Sequence, residues 1–460
     1  MILFRLLFAA LACSLVLSGC ATRPRMGADL PPIVFVHGNG DSAALWQTTV
    51  WRFESNGWPT ERMHAIDLPF PLARDDDTRD QPGRSGTADA MAYLKSEVDA
   101  VLERTGSEQV ILIGNSRGGN AIRNYIQNGG GEVKVSHAIL AGTPNHGIWA
   151  VKGLRENSEF SGLSVFLRDL NTPKTATGDE VTPNVKWLTI RSDNNDKYAQ
   201  PDGLWIGSRG LATNVTYASP ELLGAENVVL PGVDHRETAF SPAAFEAMAR
   251  FLTGQPPRTV DVVATDSVEL GGRITGLGLR SADPASGNFA NNLPVAGARI
   301  EVYEVDAETG ERQGEAAHRQ TVGDDGHWGP FTAKPGAAYE FVIAAAGYPI
   351  NHVYRGPFPR GSDLIHFRLE RAAASDRDAR AVITLTRPRG YFDVERDRIS
   401  FGGMSPPPGL PPKGAGVSTA KLVATTAEPQ TVVAEFNGER VAGRTWPAAE
   451  NRIVFVELTN

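Results

Sequence analysis

The stretch Val110-Ile-Leu-Ile-Gly-Asn-Ser-Arg-Gly-Gly119 decides the fold. It opens as an apolar run, the pattern of a strand buried on both faces of a parallel sheet. Gly114-Asn115-Ser116-Arg117-Gly118, a G-x-S-x-G, follows and leads into Asn-Ala-Ile-Arg-Asn-Tyr-Ile, which has helical character. Strand, glycine-flanked serine and helix in that order form an elbow that pushes Ser116 out at the carboxyl end of the sheet. The helix N-terminus behind it favours developing negative charge. The same letters also describe a glycine-rich turn with an incidental serine, but the flanking strand and helix favour a nucleophile.

Upstream, Pro32-Ile-Val-Phe-Val36 reads as another buried strand and runs into His37-Gly38-Asn39-Gly40. Glycines there let the backbone curl beneath the serine and point a main-chain N–H at a reacting carbonyl oxygen. By position that donor is Asn39, with the N–H of Arg117 as the second. Residues 63–67 read as a strand and 73–80 as a charged loop. The carboxylates of that loop lack the spacing of a calcium hand, so a solvated loop is expected. Residues 87–105 predict a helix with Met91, Leu94, Val98 and Val101/Leu102 on its core face.

Downstream, residues 135–141 read as a strand ending in Gly142-Thr-Pro-Asn-His-Gly147. H-G-x-G, G-x-S-x-G and G-T-P-x-x-G on successive strands resemble the secreted bacterial lipases and esterases of the α/β-hydrolase fold, over residues 31–254. That resemblance implies a mostly parallel sheet flanked by helices and a Ser-His-Asp triad, with no cofactor and no metal. It implies a triad acid in the loop after strand 185–190, where Asp193, Asp196 and Asp202 compete. Asp196 heads Asp-Lys-Tyr-Ala-Gln-Pro and is preferred; Asp202 sits at a Pro-Asp-Gly turn. It also implies a catalytic histidine after strand 226–230, at His235. Chain order Ser116, Asp196, His235 is the order of this fold. His146 comes too soon after the serine and reads as structural. Residues 148–183 form an insertion in which Leu163, Phe166, Leu167 and Leu170 fall on one helical face. Such a helix is either a lid over an acyl pocket or plain core packing.

Past Gly254-Gln-Pro-Pro-Arg258 helical periodicity gives way to short alternating strands, among them 299–305, 339–343, 381–385, 431–436 and 452–458. Residues 258–372 resemble a transthyretin-like β-sandwich, and 380–460 form a second β unit. The sequence leaves open whether these are two sandwiches or one composite. His318, His327, His352 and His366 lack ligand spacing and are expected at the surface.

At the N-terminus, Arg5 and an apolar run from Leu6 to Leu17 form a signal peptide over residues 1–19, too short to span a membrane. Leu17-Ser18-Gly19-Cys20 resembles the lipobox of bacterial lipoproteins, which implies a lipid anchor on Cys20, with 20–30 as a tether. Ala21 after the cysteine favours the outer membrane by the same resemblance, so the expected place is the cell envelope, with export as the alternative. Cys13 and Cys20 are the two cysteines, so the processed chain can form no internal disulfide. A net charge of −8 argues against a nucleic-acid partner. The sequence thus predicts an envelope-anchored serine ester hydrolase. Polyester depolymerase, amide hydrolase and non-catalytic scaffold stand as the alternatives, and the sequence says nothing of oligomeric state.

Overall fold

The computed structural model describes residues 30–193, 196, 212–278, 291–376, 378–411 and 416–460. The expected signal peptide, the tether up to residue 29, Cys20 and Asp202 lie outside these residues.

Six strands form the first sheet: β1 (Ile33–Val36), β2 (Met63–Ile66), β3 (Val110–Asn115), β4 (Val135–Ala141), β5 (Lys186–Ser192) and β6 (Glu226–Leu230). Their order is β2-β1-β3-β4-β5-β6, and every pairing is parallel. A parallel sheet must be covered on both faces, and strict alternation of the strand residues does this. Ile33, Phe35, Ile111 and Ile113 face α1 (Gln47–Ser55) and α5 (Pro242–Thr253), where they meet Phe53, Phe245 and Met248. Val34, Val36, Val110 and Leu112 face the other way, onto Leu94 and Val98 of α2 (Thr87–Thr105) and Ile122 of α3 (Arg117–Asn128). The carboxyl ends of β1, β3, β5 and β6 therefore open on one edge, where the loops that follow them meet.

The 148–183 insertion holds one short helix, α4 (Val165–Leu170), capped by the Ser164 side chain. Leu167 and Leu170 are buried, but Leu163 lies before the helix and is exposed, so the expected four-residue face is only partly realised. Buried Arg123 of α3 donates to Leu170 O (3.0 Å) and Asn171 Oδ1 (2.7 Å), tying the insertion to the sheet's flank.

The C-terminal region is all β. Strands β7 (Val268–Gly276), β10 (His327–Ala333) and β13 (Phe367–Leu369) form one small sheet. A second small sheet contains β15 (Ile399–Phe401), β17 (Thr431–Phe436) and β18 (Glu439–Arg444). Between them in composition runs a seven-stranded sheet of β8 (Arg299–Val305), β9 (His318–Thr321), β11 (Ala338–Ala344), β12 (Ile350–Arg355), β14 (Ala381–Thr386), β16 (Thr419–Ala424) and β19 (Arg452–Glu457). Parallel pairing of β12 with β19 joins strands from both sides of residues 372–380. The two expected β units thus share one sheet and form a composite. Each small sheet shares a core with it, one around Trp328, Phe341 and Phe367, the other around Phe401, Phe436 and Val456.

The β region is not a pendant. Trp51 of α1 is buried in its core and donates to Gly361 O at 2.8 Å. Arg368 donates to Gly40 O (2.9 Å), and Arg389 to Gln47 Oε1 (3.1 Å).

Two of the four β-region histidines depart from the surface expectation. His352 has no exposed side-chain surface and sits on a central strand, with Nδ1 2.7 Å from Glu340 Oε1 and Trp446 stacked on its ring. His366 is buried against Asp67 of the first domain at 3.5 Å. Glu340 lies on neighbouring β11 and Asp67 just past the end of β2, so local spacing gave no sign of burial.

Candidate active site

The turn from β3 into α3 places Ser116 at φ 54° and ψ −121°, a conformation that non-glycine residues adopt only where the surroundings enforce it. The enforcement is visible. The Ser116 N–H donates to Ala141 O on the neighbouring strand at 2.8 Å. A side chain at Gly118 would lie 2.4 Å from Val36 O, so only glycine lets the first turn of α3 close against the end of β1. Arg117 is the first residue of α3, where main-chain N–H groups have no partner within the helix. Asn39 is in the loop after β1, and its side-chain Oδ1 accepts the Ala73 N–H at 2.7 Å, which fixes that loop.

His235 lies in the loop after β6, and its Nδ1 is 2.7 Å from Asp196 Oδ1. A carboxylate can only accept, so Nδ1 carries the proton and Nε2 of the neutral ring is left to act as a base. Both side chains are almost wholly buried, His235 at 7% and Asp196 at 0% exposure. Asp193 plays a different part: its Oδ1 accepts the Gly232 N–H at 2.9 Å and braces the start of the histidine loop. Gly142, at φ +59°, underlies the pair. A Cβ there would meet Thr238 Oγ1 at 2.8 Å and Asp196 Oδ2 at 3.1 Å.

Ser116 and His235 line one cleft of about 580 Å³, together with Gly38, Asn39 and Asn115. Its walls mix apolar side chains (Leu72, Ile148, Trp149, Phe160) with arginines and carboxylates, and Tyr391 and Ser418 reach it from the β region.

Several supporting residues carry no motif that sequence reading could have caught. Asn115, next to the serine, donates to His235 O at 3.2 Å, and Thr238 Oγ1 donates to the same carbonyl at 2.7 Å. The Arg117 side chain is buried and spans three segments. It bonds Glu159 Oε1 (2.6 Å), Pro71 O (2.9 Å) and Ser85 O (2.7 Å). Burial pushes the Glu159 carboxyl up, and Arg117 opposes the shift. His37 of the H-G-x-G accepts the Leu68 N–H and is held neutral by burial, so its role is to shape the loop. His146 bonds Glu180 Oε1 of the insertion and Ser219 O, between β5 and β6. In the charged loop, Asp75 pairs with Arg155, Asp80 with Arg74, and Asp77 accepts the Thr87 N–H that opens α2. Among the described residues, no three His, Cys, Asp or Glu side chains gather as metal ligands.

Two families match the chain: "alpha/beta hydrolase fold" over residues 31–194 and "Lipase C-terminal domain" over residues 266–372. No curated protein matches its sequence. Among solved structures, Aspergillus fumigatus lipase B is similar at 16% identity, with 52% of this chain and 56% of that one covered and a TM-score of 0.34. The mature form of Bacillus licheniformis lipase BlEst2 is similar at 21% identity, covering 50% and 94%, with a TM-score of 0.35. Phospholipase PlaB from Legionella pneumophila is similar at 12% identity, covering 74% and 94%, with a TM-score of 0.34. The chain spans little more than half of the first of these. The family matches and the parallel sheet agree on the fold: a region matching the α/β-hydrolase fold over residues 31–194 is followed by a β-rich region matching a lipase C-terminal domain over residues 266–372.

Proposed function

We propose that this protein hydrolyses carboxylic esters through an acyl-enzyme on Ser116. The observation that carries the reading is the 2.7 Å bond from His235 Nδ1 to Asp196 Oδ1, in the same cleft as the strained serine. In this reading Ser116 Oγ attacks the ester carbonyl while His235 Nε2 takes its proton. Asp196 holds the ring and stabilises the imidazolium that forms. The main-chain N–H groups of Asn39 and Arg117 hold the oxyanion. His235 returns the proton to the departing alcohol. Water, deprotonated by the same nitrogen, then splits the acyl-enzyme to the acid and restores the serine.

The substrate in this reading is a lipid or other apolar ester, reached by a chain anchored in the cell envelope through acylated Cys20. Incorporation of labelled fatty acid that is lost in Cys20→Ala tests the anchor. The chemistry is tested with p-nitrophenyl esters of rising acyl length, with Ser116→Ala beside the native chain. Hydrolysis that disappears in the variant supports the reading. No hydrolysis by the folded native chain overturns it, and activity on amides alone moves the assignment to amide hydrolysis.

A further inference from the structure

The walls of the cleft carry more positive charge than its chemistry requires. The chain as a whole is acidic, at −8, yet Arg74, Arg84, Arg155 and Arg236 line the cleft against Asp41 and Asp75. Two of these cations are matched within it: Arg236 Nε lies 3.1 Å from Asp41 Oδ2, and Arg155 Nη1 lies 3.1 Å from Asp75 Oδ1. Arg74 pairs with Asp80 and Asp89, carboxylates outside the lining that are 95% and 51% exposed. Arg84 is different. Its Nη1 donates to Ala73 O at 2.6 Å, and among the described residues it has no carboxylate partner.

We propose that the ester substrate carries an acidic group, a carboxylate or a phosphate, and that Arg84 binds it. This rests on the serine-hydrolase reading and names its substrate class. The bond to Ala73 O uses Nη1 and leaves Nε–H and Nη2–H, the edge whose two parallel donors fit the two oxygens of a carboxylate or phosphate. Ala73 is also the residue whose N–H is held by Asn39 Oδ1, so the arginine wall and the oxyanion loop are tied at one residue. An anion on Arg84 would therefore sit at a fixed offset from the carbonyl under attack. A purely hydrocarbon ester would leave this guanidinium to be desolvated with nothing in return. Leu72, Ile148, Trp149 and Phe160 remain for the apolar part, so the favoured substrate is an ester with both an apolar and an acidic portion.

The test compares kcat/KM for matched esters with and without the acid. Mono-p-nitrophenyl glutarate against p-nitrophenyl butyrate places a carboxylate on the acyl side. The butyrate ester of 4-hydroxybenzoate against phenyl butyrate places it on the alcohol side, and the butyrate ester of 4-hydroxyphenyl phosphate asks whether phosphate serves instead. The native chain should prefer at least one acidic ester by about tenfold or more, and the preference should shrink in about 0.5 M NaCl. Arg84→Gln should bring that ratio near one, and Arg84→Lys should restore part of it. A ratio equal in native and Arg84→Gln chains, with the neutral esters still hydrolysed, overturns the proposal and leaves the hydrolase reading standing. No hydrolysis of any of these esters overturns both.

Discussion

Arg387 of the β region grips Asp234, the residue immediately before His235: its Nη1 lies 3.0 Å from Asp234 Oδ2, both side chains almost wholly buried. Its Nη2 reaches Glu237 Oε1 at 2.6 Å, two residues beyond the histidine. The Tyr391 N–H donates to Asp234 Oδ2 at 2.7 Å, and Arg236 Nη1 donates to Pro388 O at 3.0 Å. The histidine loop is thus held on both flanks by residues from the far half of the chain.

Arg387→Gln is expected to weaken the pairing of two buried carboxylates beside the histidine, leaving Glu237 to Arg396 and Asp234 chiefly to main-chain N–H groups. Removing one partner of a buried pair costs on the order of 3 kcal/mol, which urea unfolding would read. With the grip on the histidine loop loosened, kcat per folded molecule should fall as well. Lower stability with unchanged kcat per folded molecule would show that the grip serves folding alone.

Asp196→Asn and Asp193→Asn separate the two carboxylates of one loop. The first should cut kcat by about 10³ to 10⁴, because the amide no longer fixes the ring with its proton on Nδ1. The second keeps an amide oxygen that still accepts the Gly232 N–H and the Ser192 hydroxyl, and should cost less than about tenfold, since those contacts brace the loop. Equal losses would contradict the division of roles.

Arg117 and Arg123 pin the 148–183 insertion through Glu159, Leu170 and Asn171. An insertion held by buried charge-assisted bonds should not swing open at a lipid surface. Rate against substrate concentration is therefore expected to rise smoothly through the solubility limit. An abrupt jump at that limit would show that these bonds yield.

Stability should decline in weak acid. Burial lowers His64 and His137 to about 4 and also depresses His37, His352 and His366. These rings stay neutral in the fold, whereas an unfolded chain takes up protons near pH 6.5, so stability is full above about 6.5 and falls as pH drops toward 4. His146 opposes them. Burial works against its charge, but hydrogen bonds to Glu180 and Ser219 raise it, so its contribution is present below about 6.5 and fades above. The urea midpoint should fall between pH 7 and pH 5, and less steeply in His64→Gln/His137→Gln. A flat midpoint over that range would contradict this account.

The sheet strands, the serine elbow and the loops bearing Asp196 and His235 were legible because each is set by a local pattern of apolar runs and glycines. The helix over 87–105 was legible for the same reason. What stayed hidden is non-local. Arg387 and Asp234 are 153 residues apart, and neither belongs to a motif. His352 looks like a surface residue until β11 sets Glu340 beside it. The periodicity of residues 163–170 overstated α4, because one turn of that pattern is spent in the Ser164 cap.

Strand β19 follows every other strand in sequence, yet in the seven-stranded sheet it lies between β14 and β12. A chain emerging from the ribosome therefore completes its hydrolase sheet long before the layer that clasps the histidine loop can close, since that layer waits for its central strand. In the proposed reading, catalytic competence waits for β19. A chain stopped before Arg452 should leave Ile383 and Leu385 of β14 without the strand that covers them and be recovered as an inactive, aggregation-prone product. The β region would then act as a proofreading step: the serine is present early, but the loop bearing His235 is clasped only in molecules whose synthesis ran past β19.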